Sequence, residues 1–255
     1  MDEQLTFNFK KDISHVIVPS KLNNPFDVNI PDIACTAAKE FQEFIAEESK
    51  KWEYDFRIQQ GKMFGILVIQ KEDYSFGYLG TVSGKLPQNA VCPRFVPSVF
   101  DDSAHDFFMN KGMTELSEIG NQIKKISDPD EINSLKKSSK QKSIALQQRL
   151  FENYHFSNIS GKTKNLLEIF AHSSQGKPPS AAGECVAPKL LQYAIQHRLK
   201  PVALAEFWWG NPMKNNEREH SNFYPACKNR CRPILEYMLN DNQLYKLSLA
   251  GSKKN

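Results

Sequence analysis

Apolar and polar positions along this chain alternate with periods that change from segment to segment. Ala34, Ala37, Ala38, Phe41, Phe44 and Ile45 recur at the spacing of one helical face. They predict an amphipathic helix that Asp32 can cap and that runs to about Lys51. Pro19, Pro25 and Pro31 punctuate the residues before it, and each disfavours helix at the residue it follows. Residues 1–32 therefore read as extended and irregular. Met63–Gln70 is almost continuously apolar, as a strand covered on both faces would be. Lys71–Tyr74 supplies a polar turn and Ser75–Ser83 a return strand, which together predict an antiparallel hairpin. Gly77, Gly80 and Gly84 mark bulges or close backbone approach, and their spacing fits no phosphate-binding fingerprint.

Residues 85–112, with Pro87, Pro93 and Pro97, read as loop. Asp101, Asp102, His105 and Asp106 cluster there. A solvated loop with a helix cap accounts for them better than a metal site, because no second histidine lies nearby. A helical period then appears at Leu116, Ile119, Ile123 and Ile126. It breaks at Asp128-Pro129 and resumes at Ile132 and Leu135, which predicts an inserted helical hairpin over 113–150. Its second arm carries Lys136, Lys137, Lys140, Lys142 and Arg149. Those four lysines are the candidate RNA-binding residues, since a lysine–phosphate contact releases counterions. A solvated spacer accounts for the arm better than RNA contact, because the arm lacks aromatic side chains for stacking on bases. Phe151–Ile159 returns as an extended piece, and Thr163 is placed to cap a short helix.

The stretch from Pro179 to Leu239 combines ligand-capable side chains with strong structural cues. Gly183–Gln196 reads as a helix with Leu190, Leu191, Ala194 and Ile195 on its buried stripe, and Pro188 is tolerated in its first turn. Pro201–Trp209 reads as a strand whose single charge, Glu206, is assigned to the surface or rim of the sheet. A polar loop follows, and then a helix bearing Cys227 and Cys231. An i, i+4 pair lies on one helical face, so two thiolates there can fill half of a tetrahedral zinc shell. Cys185, at the start of the preceding helix, is a third candidate ligand and His220 a fourth. A helix N-terminus also favours the thiolate. Three small buried thiols with no metal are the competing reading.

Composition narrows these options. The 255 residues are enough for one large domain or two small ones, and 40% hydrophobic with 24% charged residues is ordinary for a globular protein. No apolar run approaches the length of a membrane span. The N-terminus lacks an export signal, so a cytoplasmic location is expected, with the five cysteines as reduced thiols or metal ligands rather than disulfides. The net charge of +4 permits RNA binding without requiring it.

Several stretches carry a family resemblance: NPFDVNIPDIACTAAKEFQEFI, GKMFGILVIQ, FGYLGTVSGKLPQ, FVPSVFDD, AGECVAPKLLQYAIQHRLKPVALAEFWWG and FYPACKNRCRPIL. On these, the chain resembles the N-terminal extension of bacterial RluA-type RNA pseudouridine synthases over nearly its whole length. In such proteins a catalytic domain follows, with its aspartate in an HRLD-type motif. Here the comparable letters are His197-Arg198-Leu199-Lys200, so no position inherits that aspartate. The resemblance implies an accessory domain in RNA modification, with ribosomal RNA or a pseudouridine synthase catalytic domain as partner, rather than an isomerase.

The order of elements is also similar to the cytidine-deaminase-like fold. There a ligand-x-Glu motif on one helix and P-C-x-x-C on the next hold a catalytic zinc, and the Glu moves protons. That likeness matches Glu184 to the proton carrier. Ala182 stands at the ligand position, and the cysteine pair is spaced one residue wider; both departures count against deaminase catalysis and leave a degenerate version or a differently liganded one, by Cys185 with Cys227 and Cys231. The expected architecture is α/β: a mixed sheet with flanking helices and an inserted helical hairpin. Residues 1–112 and 151–255 form the two parts of the α/β domain, and 113–150 form the insertion. The functional classes left open are the RNA- or ribosome-associated accessory domain, a zinc-dependent deaminase-like hydrolase, and a structural or interaction domain.

Overall fold

The computed structural model describes residues 5–87, 90–100, 102–212 and 218–239, the side chains of 102–107 excepted. In chain order its elements are β1 (Phe7–Asn8), α1 (Asp32–Glu48), β2 (Lys62–Gln70), β3 (Phe76–Val82), α2 (Asp102–Ile123), α3 (Pro129–Asn153), β4 (His155–Ser157), β5 (Thr163–Asn165), α4 (Leu166–Ala171), α5 (Val186–Gln196), β6 (Lys200–Trp209) and α6 (Lys228–Leu239). The chain forms two compact units. One comprises Met1–Val99, Phe156–Lys164 and Pro179–Asn255, and the other Phe100–His155 and Asn165–Pro178. The α/β content matches the expected class.

The first unit is organised by a sheet of order β1-β3-β2-β6. The sheet was expected to be mixed, but its ladders are all antiparallel. The reason lies in the connection through α5. β3 and β6 run in the same direction, as the ends of a helical crossover do, yet β2 lies between them, so no parallel pair forms. The β2–β3 hairpin is as the sequence predicts, with Phe64 opposite Val82 and Gln70 opposite Phe76.

The two faces of the sheet are distinguished by what would fill the space over their glycines. A Cβ on Gly80 would run into the ring of Phe41, so that side meets α1. A Cβ on Gly65 would lie 2.7 Å from Val186 Cγ1, so the opposite side meets the first turn of α5. Phe64, Ile66 and Val68 alternate with Gly65 along β2 and join Ala34, Ala37, Phe41, Ala203, Ala205 and Phe207 in one buried cluster. Burying each large side chain of that cluster contributes about 1.5–3 kcal/mol. α1 starts one residue earlier than a cap at Asp32 would allow: Pro31 is the N-cap, and Asp32 sits in the first turn, where its charge complements the helix dipole.

The outer edge of β6 is not left open. Asn23 accepts from the Leu204 N–H at 2.7 Å and donates to the Leu204 carbonyl at 3.0 Å, acting as a one-residue strand partner. Further along, Tyr224 N–H donates to the Glu206 carbonyl at 2.9 Å and Trp208 N–H to the Asn222 carbonyl at 3.0 Å. The segment entering α6 is thereby stitched to β6.

The second unit contains the helical hairpin α2–α3 with α4. The hairpin is longer than expected at its first arm: residues 102–112, assigned to loop, are helical. All three prolines of that stretch precede Ser98, and nothing between Ser98 and Gly112 breaks a helix. Asp128 caps α3 by accepting from Asp130 N–H, with Pro129 in the first turn. Leu146 fills the space over Gly112, Lys142 pairs with Glu115 at 2.8 Å, and Arg149 lies 4.3 Å over the Phe108 ring. Phe100 stacks on Tyr154 with centroids 5.0 Å apart. α4 is capped by Asn165 in a reciprocal box with Glu168, not by Thr163, which lies in β5.

Candidate metal centre

Two helices open at the same place. Cys185 is the N-cap of α5, and Cys227 immediately precedes α6, whose backbone continues its turn through Cys231 N–H to the Cys227 carbonyl at 3.3 Å. β6 separates the two helices in sequence and brings them together in space, α5 by packing across the sheet and the approach to α6 by the Tyr224 and Trp208 bonds along its edge. The result is that the sulfurs of Cys185, Cys227 and Cys231 all lie within 4.8 Å of one another. Cys185 Sγ is 3.9 Å from Cys227 Sγ, and Cys227 Sγ is 3.3 Å from Cys231 Sγ. The convergence expected from the sequence is present. Three cysteines so placed could bind a metal.

The thiols are strongly coupled. Hydrogen bonding, first with Cys185 and then with Cys231, draws the Cys227 thiol well below its ordinary value. Cys185 is pushed up, first by its bond with Cys227 and against the bond with Cys231, and Cys231 is pushed up by its bonds with Cys185 and then Cys227, with burial and the charge of Glu206 adding in the same direction for both. Cys231 is buried, whereas Cys185 and Cys227 are only partly covered.

His220 is not among the side chains that close on these sulfurs. Its Nδ1 accepts from Gly210 N–H at 2.9 Å and its ring rests against Trp209, 4.3 Å between centroids. Partial burial and the neighbouring Arg57 hold its imidazole below the usual value. In sequence it is close to Cys227, but the turn that returns the chain along β6 spends it on the strand end. Glu184 is likewise placed elsewhere than the resemblance implies. Its carboxylate accepts from Ser98 Oγ at 3.2 Å, and its carbonyl accepts from Gly84 N–H at 2.8 Å. It secures the entrance of α5 to the β3 end and is not grouped with the sulfurs.

The carboxylate that does share the thiols' surroundings is Glu206, assigned from the sequence to a rim. It is 6% exposed. β6 pairs Glu206 with Gly65, so its side chain stands on the α5 face, where Ala187 N–H donates to Oε1 at 3.2 Å. Burial raises its carboxyl to about 8, with the Cys227 charge contributing and Arg218 opposing. The signal for this was in the sequence: Pro201–Trp209 is apolar at both parities, like Met63–Gln70, so it too is covered on both faces and a charge within it has no route to water.

Among the lysines, Lys136, Lys137 and Lys140 lie exposed along α3. Lys142 differs in being held by Glu115. Asp101 and the side chains of Asp102, His105 and Asp106 lie outside the described residues. No described helix is long and apolar enough to cross a membrane. Comparison of the chain with protein-family models, with curated proteins and with solved structures gives no match.

Proposed function

We propose that this chain is a zinc protein whose three-cysteine centre keeps a fourth position for chemistry, a hydrolase of the deaminase type. The observation that carries the reading is the meeting of Cys185, Cys227 and Cys231 within 4.8 Å. Thiolates suit zinc, and a tetrahedral shell with zinc–sulfur bonds of about 2.3 Å places its sulfurs about 3.8 Å apart. The separations of 3.9 and 3.3 Å bracket that value. Partial exposure of Cys185 and Cys227 leaves a side of the centre that solvent reaches. When bound, zinc would supply a polarising centre and an activated water. The chain's own part is to hold three ligands from two helix mouths and to exclude solvent behind Cys231. Purified protein should contain one zinc per chain by elemental analysis. Cys185→Ser or Cys231→Ser should remove it, and retention of a full equivalent by either variant would reject the reading.

A second reading is favoured by the α3 lysines, three of which have no carboxylate partner among the described residues. In it the chain is an accessory domain in RNA modification, RNA- or ribosome-associated, as its resemblance to pseudouridine synthase extensions suggests. Reversing Lys136, Lys137, Lys140 and Lys142 to glutamate should weaken RNA binding and flatten its salt dependence. Unchanged binding in filter or anisotropy assays would remove the arm from this role.

A further inference from the structure

We propose that Glu206, on the strand between the two cysteine-bearing helices, is the proton-carrying carboxylate of this centre. The inference rests on the zinc reading above and deepens it by assigning the acid–base group that neither the thiols nor Glu184 provides.

Glu206 is enclosed, and one of its oxygens is fixed by the N–H of Ala187, two residues beyond Cys185. Its other oxygen has no hydrogen-bond partner among the described residues. A buried carboxylate half left without partners is costly unless something polar is meant to meet it. The backbone of the same residue accepts from Tyr224 N–H, three residues before Cys227. Glu206 is therefore tied at its side chain to the Cys185 helix and at its carbonyl to the approach of the Cys227 helix. The charged and titratable groups acting on it are Cys227 and Arg218, and its own charge is felt at Cys185 and Cys231.

Gly65 makes the arrangement possible. It lies opposite Glu206 in the β2–β6 ladder, and any side chain there would collide with the Ala205 carbonyl and with Val186. Its absence of a Cβ lets the first turn of α5 settle against the sheet, which is what brings Ala187 N–H onto the carboxylate.

The step this arrangement serves is hydrolysis at a polarised carbon bearing an amino group. The attacking water gives a proton to Glu206 as its oxygen forms a bond to that carbon, and the carbon's double bond to its neighbouring ring nitrogen opens onto that nitrogen. The bond to the amino nitrogen then breaks as Glu206 returns the proton to it, the pair on the ring nitrogen re-forms the double bond, and the amino group leaves as ammonia. No oxidant or reductant is consumed. A carboxylate that alternates between base and acid must reach the reacting atoms and be shielded from bulk water; Glu206 is enclosed, whereas Glu184 is only half-buried and accepts from Ser98.

The test uses cobalt(II)-substituted protein, because the visible spectrum of cobalt reports both coordination and nearby ionisation. Wild type, Glu206→Gln and Glu184→Gln are each loaded and titrated with pH. The expected result is one cobalt per chain and a tetrahedral, mostly thiolate spectrum in all three. The pH inflection should move by about one unit or more in Glu206→Gln only. Glu206→Asp, which withdraws the carboxyl by one methylene, must displace it too and serves if glutamine is not tolerated. Three results overturn the inference: coincident wild-type and Glu206→Gln curves, an inflection that moves in Glu184→Gln instead, or loss of metal in Glu206→Gln, which would make Glu206 a ligand. A wild-type protein that takes up no cobalt rejects the underlying zinc reading, and that outcome is separate from these.

Discussion

The sheet unit and the helical hairpin are each stabilised by different means. The sheet unit buries both faces of β2 and β6, one under α1 and the other under α5, and it encloses Glu206 and Cys231 within that packing. Of the described side chains in α3, only Phe151 is buried. Among the described residues, the hairpin instead relies on a helix cap at Asp128, the Lys142–Glu115 ion pair between its arms and packed side chains such as Leu146 on Gly112. The three-cysteine cluster and Glu206 lie in the first, and Lys136, Lys137 and Lys140 lie exposed in the second. An electrostatic site needs fixed geometry and low dielectric, whereas an exposed lysine contributes long-range attraction without either.

Several measurements sharpen or break this contrast. The largest effect is expected in the sheet core: Phe64→Ala should cost about 3–5 kcal/mol of unfolding free energy, against about 1 kcal/mol for the half-buried Leu146→Ala. Equal costs in urea titrations would mean that the hairpin carries more of the stability than its burial indicates. Next in size is metal removal. Zinc at a thousandfold excess over its dissociation constant stabilises the folded state by about 4 kcal/mol. Chelation should therefore lower the melting temperature of wild type and leave Cys231→Ser unmoved.

A smaller effect concerns pH in the metal-free protein. Burial holds the Glu206 carboxyl up at about 8, against 4.5 for an ordinary glutamate. Between those values the folded state keeps a proton that the unfolded chain releases. This contribution is fully present below about pH 4.5 and is lost as pH rises toward 8, with a slope of at most about 1.4 kcal/mol per pH unit. Glu206→Gln cannot titrate, so its stability should fall less steeply over that range in chelator-treated samples. Parallel pH profiles for the two proteins would contradict the burial of a neutral carboxyl. Smallest of all, Lys136→Glu with Lys140→Glu should change stability by less than about 0.5 kcal/mol, while lowering the slope of RNA affinity against salt by about 0.7 for each lysine–phosphate pair removed.

Much of the sheet unit was legible from local pattern. The stripe Ala34–Ile45 identifies α1, the continuous run in β2 implies cover on both faces, and Lys71–Tyr74 marks the hairpin turn. The thiol cluster was legible because two helix starts flank one strand, so a single crossover brings them together. What local pattern did not reveal depends on longer-range partners. Glu206 lies inward because α5 covers its face, and His220 is spent on Gly210 because the chain doubles back along β6. Glu184 is taken by Ser98, eighty-six residues earlier in the chain. The start of α2 was obscured by nearby prolines, although all of them precede it. The sheet's antiparallel pairing follows from β2 lying between β3 and β6, an order that no single segment records.

The zinc site proposed for Cys185, Cys227 and Cys231 has three thiolate ligands and one open position. X-ray absorption at the zinc edge of the purified full chain tests it most directly. Three sulfur scatterers at about 2.3 Å and one oxygen or nitrogen scatterer at about 2.0 Å are predicted. A shell of oxygen and nitrogen alone, or a protein that carries no zinc at all, would contradict it.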